Sequence, residues 1–374
     1  MGKIRKLMRP LKKAYVENMI NKERKYEEYL ILKNYPKDSF TPLTDDEKKK
    51  VYDLWGTFSS HISLKEYEVY KKVNGFDERF LSHELYLPII SHLLNDYHYT
   101  KFFEDKGLLG YLLKSDYLKF PNCFVRCING EFYDNSMHQL SKDEALKYCA
   151  EQDEFIIKIS RESSGGHGVS KISLVGKSFA ERLDICKNQF KKYGEYFVVQ
   201  ECIKQHALMS RFNATSINTF RVTTLYLNKK VSVLSIILRI GKAGSFVDNM
   251  GSGGVGVGVL PNGKLNEFGY TYSLNKVYSH NDVLFKDECI PQVPSMLDMI
   301  TKAHKDVFPL CKLIGWDICI DSTGRFIVIE VNSSQPGISG EQMNCGPIFG
   351  DRTQEVIEFC KGRKFRYNKS VFSY

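Results

Sequence analysis

The sequence lacks any apolar run approaching the ~18 residues that a membrane span needs. Its first stretch, MGKIRKLMRPLKKAYVEN, has no long apolar segment of the kind a standard secretory signal carries. Gly2 follows Met1, but position 6 is Lys6 rather than Ser or Thr, so the myristoylation pattern fails. There is no C-x-x-C pair among the ten cysteines and no histidine at zinc-site spacing. Several cysteines sit inside apolar runs, as in WDICI. They are expected as buried free thiols in a reducing cytosol, not as a disulfide framework or a metal cage. No RNA- or DNA-binding motif, internal repeat or low-complexity tract is found, so nucleic acid is not an expected partner.

What is present reads as an ordinary globular chain. Its 374 residues are 43% hydrophobic and 26% charged, enough for two or three domains with real cores. The net charge is +9, and Lys3, Arg5, Lys6, Arg9, Lys12 and Lys13 all precede the first acid, Glu17. Such a segment either lies on an anionic membrane surface or is a solvated helix face. The rest of the basic excess suits an anionic substrate.

Residues 1 to about 100 read as mainly helical. Thr44 followed by Glu47 is a capping box, and ELYLPIISHLLNDY has helical apolar spacing. FFEDKGLLGYLL predicts a further helix, stopped by Pro121 before a strand CFVRCI and a turn at NGE. From residue 155 strands dominate: FIIKI, VSKISLV, YFVVQECI, TFRVTTLYL, KVSVLSIILRI, GVGVGVLP, IGWDICID and FIVIEVNSS. Helices SFAERLDICKNQFKKYG and PSMLDMITKAHKDVF stand apart from them. This is an α+β pattern of antiparallel hairpins with segregated helices, not a βαβ repeat.

Two glycine patterns carry little. GSGGVG at 251–256 is followed by a strand rather than a helix, so it lacks the context of a dinucleotide site. GVLPNGK at 258–264 has Leu265 where a phosphate loop needs Ser or Thr, and PNGK reads as a hairpin turn. FIIKISRESSGGHGVSKISLV differs, because Lys158 ends a strand beside a loop that exposes backbone N–H groups with little steric cover. Such a loop can fold over phosphates. Alone, the stretch is equally a hairpin turn with an exposed lysine.

In GWDICIDSTGRFIVIEVNSS, Asp317 lies in one strand and Glu330 near the end of the next. Asn332 is two residues beyond Glu330 and shares its face. A short turn brings Asp317 beside them. Two carboxylates and a carboxamide are hard oxygen donors suited to Mg²⁺ bound with nucleotide phosphates. They interrupt apolar strands, where unpaired charge is costly, and a cation answers that cost. Arg221 and Arg239 also sit in or at the ends of apolar strands, with Asn218 three residues before Arg221. A guanidinium held there suits a phosphate or a developing oxyanion, or it snorkels to the surface.

Four of these pieces occur in the order used by the ATP-grasp ligases. EDKGLLGYLL resembles that family's D-K helix, and IIKISRESSGGHGVSKI its lysine strand and glycine-rich lid. FVVQECI resembles its adenine hinge, and GWDICIDSTGRFIVIEVNSS its D…E-x-N metal strands. SINTFRVTTL and VDNMGSGGVGVGV look more like the sugar-transfer-associated branch, found with capsular and envelope glycan genes; D-alanine–D-alanine ligase is a more distant relative. The resemblance implies an ATP-grasp fold of two α+β subdomains clamping ATP, preceded by the mainly helical region. The implied division is 1–100 helical, 101–154 N-terminal subdomain, 155–204 lid subdomain and 205–374 C-terminal subdomain with the metal site.

The resemblance also implies roles. Lys106 and Lys158 contact ATP phosphates, and Ser163, Ser164, Gly165, Gly166, His167 and Gly168 form the lid. Gln200, Glu201 and Ile203 bracket the adenine, Asn218 adds to the nucleotide site, and Asp317, Glu330 and Asn332 hold two Mg²⁺. Two departures stand out. Ala207 occupies the place of the D-alanine–D-alanine ligase ribose-binding acid, and Gly315 that of an arginine two residues before the metal aspartate. Ribose contact is therefore unassigned, and catalytic positive charge falls to Arg221 or Arg239, with Lys158 beside them as a further catalytic candidate.

The implied activity is a carboxylate–amine ligase working through an acylphosphate on a sugar acid or amino acid in capsular or envelope polysaccharide synthesis. The alternatives are an ATP-grasp kinase acting on a sugar or polyol hydroxyl, and a non-catalytic nucleotide-binding module. Expected partners are small-molecule or glycan carboxylates and amines, with a glycosyltransferase or the inner membrane face as a docking partner. The expected location is the cytoplasm, including the periphery of that membrane face.

Overall fold

The computed structural model describes residues 2–113, 115–161, 168–242, 244 and 250–363; the side chains of 2–14, 16 and 252 lie outside that description. Two antiparallel sheets organise it, so the α+β class expected from the sequence is what the structure shows.

The first sheet contains β1 (Cys123–Ile128), β2 (Glu131–Tyr133), β3 (Gln139–Leu140), β4 (Glu154–Ile159), β5 (Val169–Ser173) and β6 (Tyr196–Gln200), in the order β3-β2-β1-β6-β4-β5. Period-two alternation decides its faces. Val125, Cys127, Phe155, Ile157, Phe197 and Val199 point into a core covered by the Lys142–Ala150 and Phe179–Tyr193 helices. Ser141 with Glu144 and Ser178 with Glu181 cap those helices reciprocally. Arg126, Lys158 and Gln200 are left to the opposite face. This sheet unites strands from the 101–154 and 155–204 segments, since β1 and β4 both pair with β6.

The second sheet contains β7 (Thr219–Leu227), β8 (Lys230–Ile240), β9 (Val255–Val259), β10 (Leu265–Thr271) and β11 (Lys276–Val277). After a small hairpin of β12 (Ser279–His280) and β13 (Val283–Leu284) it is completed by β14 (Leu313–Ile320) and β15 (Phe326–Asn332). Its order is β11-β10-β9-β8-β7-β14-β15. Phe220, Val222, Leu238, Ile314, Trp316 and Ile318 fill a core with Met296, Ile300 and Ala303 of the Val293–Asp306 helix. The residues between them in sequence therefore face away from that core. PNGK is a hairpin turn, with Gly263 at φ 91° and its N–H donated to Leu260 O at 2.8 Å.

The helical region is not a separate unit. Helices Gly2–Asn34, Asp45–Trp55 and Lys65–Asn74 share one core with Leu225 and Leu227 of β7, Leu313 of β14 and the Ser339–Cys345 and Thr353–Lys361 helices. Thr44 caps the second helix as expected, with Thr44 N donating to Glu47 Oε2 at 2.7 Å. Tyr86–Ile90 forms one wide π turn at Pro88, which has no N–H to donate. No described helix is long and apolar enough to cross a membrane. All ten cysteines are free thiols, seven of them buried.

One expected helix breaks. FFEDKGLLGYLL forms a 3-10 turn at Lys101–Glu104 and one α turn at Leu109–Leu112. Asp105 Oδ1 accepts from Gly107 N at 2.8 Å, and Lys106 N donates to Ser160 O at 2.9 Å. The amides a continuous helix would need are spent on a local turn and on docking to the end of β4.

Candidate functional site

The site lies where the polar faces of the two sheets meet. β14 pairs with β7 on one side and β15 on the other, placing Arg221 and Glu330 directly opposite Asp317. Asn332 pairs with Gly315, two residues back, so it shares the face of Glu330 and Asp317. β8 brings Arg239 opposite Thr219 at the end of β7.

Arg221 makes a two-pronged contact with Asp317, Nε to Oδ1 at 2.6 Å and Nη2 to Oδ2 at 3.0 Å. Arg239 Nη2 reaches the same Oδ2 at 3.1 Å and is steadied by Thr219 Oγ1 at 2.9 Å. Burial alone would raise the Asp317 carboxyl, but the two guanidinium groups hold it well below the usual carboxylate range. Asn332 Nδ2 lies 3.4 Å from both Asp317 Oδ2 and Glu330 Oε1. Lys106 Nζ stands 3.6 Å from Glu330 Oε2.

Lys158 is buried, not exposed at a turn. Burial and Lys106 push its ammonium down to about 8, against the opposing pull of Glu330. Glu330 and Lys106 both act on its charge, which couples it to the same group.

Beside this group is a cavity of about 500 Å³ between the sheets. Lys106, Gln200, Arg126 and Ile329 line it, with Leu109, Leu113, Leu118, Phe120 and Pro121 forming another wall. That size is ordinary for a small-molecule site. Glu201 and Ile203 do not line it. Glu201 instead braces its edge, donating its N–H to Asn122 O at 2.9 Å and accepting Asn122 N on Oε1 at 2.7 Å. Asn218 is also elsewhere. Its amide holds the 205–218 loop together through Gln205 Oε1, Met209 O and Asn213 O. Of the glycine-rich stretch only Gly168 is described, at φ 68°, with Ile159 N donating to its carbonyl at 3.0 Å. Ser163, Ser164, Gly165, Gly166 and His167 lie outside the described residues.

Three further residues belong to the site and were not read from the sequence. Glu341, on the Ser339–Cys345 helix, meets Arg221 Nη1 at 3.5 Å, and its burial raises its carboxyl. Glu104 accepts from Ser333 N at 2.9 Å and Ser334 N at 2.7 Å, pinning the chain just after Asn332. Arg126 is buried and ties Gly107 O to Asp134 O and Asn135 Oδ1. Arg126 had a signal, a charge inside CFVRCI like that of Arg221. Glu341 and Glu104 had none.

The model for sugar-transfer associated ATP-grasp proteins matches residues 90–358. The chain belongs to the sugar-transfer associated ATP-grasp family. No curated protein sequence matches it. Solved structures similar to this family member include D-alanyl-alanine synthetase A from Vibrio cholerae, 13% identical, covering 65% of this chain and 60% of that one at a TM-score of 0.35. Another is L-amino acid ligase from Bacillus licheniformis, 14% identical, covering 82% and 57% at 0.33. A third is ATP-grasp ligase PsnB with a phosphomimetic variant of its minimal precursor, Mg and ADP, 14% identical, covering 71% and 61% at 0.40. The chain thus spans about 60% of the length of these proteins.

The donor set of this ATP-grasp site fits magnesium in type but not in charge. Asp317, Glu330 and Asn332 offer hard oxygens on one face. No group of three or more His, Cys, Asp or Glu able to hold a metal occurs among the described residues. Among the described residues, Lys106, Arg221 and Arg239 contact Asp317, Glu330 and Glu341, and Lys158 feels the charge of Glu330 and Lys106. The cations gathered among the described residues suit a polyanion. The residues fit Mg²⁺ delivered with phosphates rather than a bare ion.

Proposed function

We propose that this ATP-grasp protein is an ATP- and Mg²⁺-dependent carboxylate–amine ligase. One observation carries the reading: Lys106, Arg221 and Arg239 converge on the Asp317–Glu330 pair beside a cavity between the sheets. The cavity accepts the nucleoside against Gln200 and Ile329. Lys106 and Lys158 hold the phosphates. Asp317, Glu330 and Asn332 would hold Mg²⁺, two ions in all, which shield charge on the phosphoryl oxygens and polarise them.

The protein's own groups do the rest. A substrate carboxylate, brought to the γ-phosphate by the cationic face, attacks its phosphorus and displaces ADP to give an acylphosphate; an amine then attacks the acyl carbon, giving up a proton as inorganic phosphate leaves. Arg221 and Arg239 are held on strands, so their charge reaches the developing oxyanion without reorganising. Asp317, where it would hold Mg²⁺, would share its oxygens with both guanidinium groups, and Glu341 gives Arg221 a second anionic anchor. Family membership supports a sugar acid or amino acid of capsular or envelope polysaccharide synthesis as substrate.

The test is release of ADP and phosphate with ATP, Mg²⁺ and pooled sugar acids, amino acids and amines. Product mass showing an amide supports ligation. A phosphomonoester product, or no ADP from any pool, refutes it.

A further inference from the structure

Three side chains from distant parts of the sequence line up beside Arg221. Glu66 is buried on the Lys65–Asn74 helix, and both its oxygens hold His83. Oε1 lies 2.7 Å from the ring Nδ1, and Oε2 accepts His83 N at 2.6 Å. The other ring nitrogen, Nε2, lies 3.3 Å from Ser339 Oγ. An ionised carboxylate only accepts, so Nδ1 carries a hydrogen, and in the neutral ring Nε2 is left to accept from the serine hydroxyl. Tyr70 fixes the carboxylate, its O–H donating to Glu66 Oε1 at 2.6 Å. Gln342 locks the serine's helix to the same frame. Its Nε2 donates to Tyr70 Oη and Leu81 O, and its Oε1 accepts Leu81 N, each at 2.9 Å.

The line ends at the cleft. Glu341 Oε1 is 3.5 Å from Arg221 Nη1, and a Cβ on Gly337 would stand 3.9 Å from that same nitrogen. Ser339 is two residues from each, so its Cα is within about 8 Å of theirs. Glu66 is sealed in the core, whereas Ser339 is half-buried and Gly337 exposed. A structural ion pair needs no serine at its far end. Ligation, by contrast, needs an acceptor for the amine's proton, and the cleft's own carboxylates each already face a cation: Asp317 two guanidinium groups, Glu330 Lys106 and Glu341 Arg221.

We propose that Ser339 and His83 form a proton relay for the attacking amine, with Glu66 as the positioning residue behind them, an inference that rests on the ligase reading of the cleft. As the amine nitrogen bonds to the acyl carbon, the bond from that carbon to the phosphate oxygen breaks and phosphate leaves with the electron pair. The amine's proton passes to Ser339 Oγ while the hydroxyl's own proton passes to His83 Nε2. Serine stays neutral, and the imidazolium is held by Glu66. Glu66 and His83 both come from the helical region, which thereby gains a chemical task. Burial opposes charge on His83, while Glu66, Glu27 of the first helix and Glu341 favour it, and its pKa is raised from 6.5. Amide formation should therefore quicken as pH rises through the raised value, and Glu66→Gln should move that rise to lower pH.

Two parallel assays on the full chain test the relay, each with ATP, Mg²⁺ and pooled acids. In one, hydroxylamine traps the acylphosphate as a hydroxamate without needing a protein base. In the other, pooled amines give the amide. His83→Gln and Ser339→Ala should cut amide formation about 100-fold while hydroxamate formation persists. Ser339→Ala leaves the Glu66–His83 contact in place, so it should melt with the parent. The relay is overturned, with ligation left standing, if either variant forms amide at the parent's rate, if hydroxamate falls as far as amide in Ser339→Ala, or if Glu66→Gln leaves the pH rise where it was. A parent that yields neither hydroxamate nor ADP overturns both.

Discussion

Lys158→Met should make the nucleotide-free protein more stable while removing its activity. The ammonium is buried, and its pKa falls from 10.5 to about 8. That difference is worth on the order of 3 kcal/mol of native-state cost, since each unit is about 1.4 kcal/mol. Methionine keeps the length and apolar stem and removes the charge. The folded-state value lies below the unfolded one, so the cost is fully present below pH ~8. It is relieved as pH rises from about 8 to 10.5, where the folded lysine loses its proton before the unfolded one does. Urea unfolding of both proteins from pH 7 to 10 measures this. The variant should be more stable by about 3 kcal/mol at pH 7, with the gap closing toward pH 10. Taking the difference between the two proteins cancels the other lysines and tyrosines that titrate there. A variant less stable than the parent at pH 7, or a gap that does not narrow, would refute the reasoning. Bound phosphates should raise the Lys158 value again, so nucleotide binding near pH 9 should take up a proton, visible by calorimetry in two buffers of different ionisation enthalpy.

Three other outcomes are expected. Asp317→Asn leaves Arg221 and Arg239 buried without their anion and should lose about 3 kcal/mol in chemical denaturation along with all ATP turnover; undiminished stability would mean the clamp does not form. Mg²⁺ titrated into the protein should give no heat until ADP or ATP is added, because Arg221 and Arg239 already occupy the Asp317 oxygens; tight binding of the bare ion would contradict that occupancy. Glu66 Oε1 lies 2.7 Å from His83 Nδ1, and although burial opposes charge on His83, Glu66 raises its pKa. Stability from His83 is present below its ordinary value of ~6.5 and lost as pH rises through the raised one. His83→Gln should abolish that decline, and a decline of equal size in the variant would clear His83 of responsibility.

Much of the fold was legible because it depends on short-range rules. The Thr44–Glu47 box, the PNGK turn and the alternation that separates Lys158 from Ile157 need only neighbouring residues. So does the shared face of Glu330 and Asn332. The partners of Asp317 needed more. That Arg221 and Arg239 close on it follows from β14 lying beside β7, and β7 beside β8, a strand order that local pattern does not encode. Glu341 sits on a short helix with no sequence mark, and only the fold carries it to Arg221. The broken helix after Glu104 has a similar origin. Leu108, Leu109 and Leu112 have helical spacing, but Lys106 N–H bonds to Ser160 O, more than fifty residues away. Asn218 misled for the opposite reason, since a polar residue near Arg221 on a strand can equally be spent on tying down its own loop.

The shared core of the helical region bears on how such a chain can be divided. The family match starts at residue 90, yet Trp55, Tyr67 and Tyr70 pack in the same core as Leu225, Leu313 and Ile338. A fragment cut at the family boundary would carry the candidate site intact and expose the apolar underside of the sheet that holds it. It should aggregate rather than act. The piece that could be inherited, swapped or transplanted as a working whole is therefore larger than the piece by which the family is recognised, and variation among relatives before residue 90 would have to be matched by compensating change on β7, β14 and the two C-terminal helices.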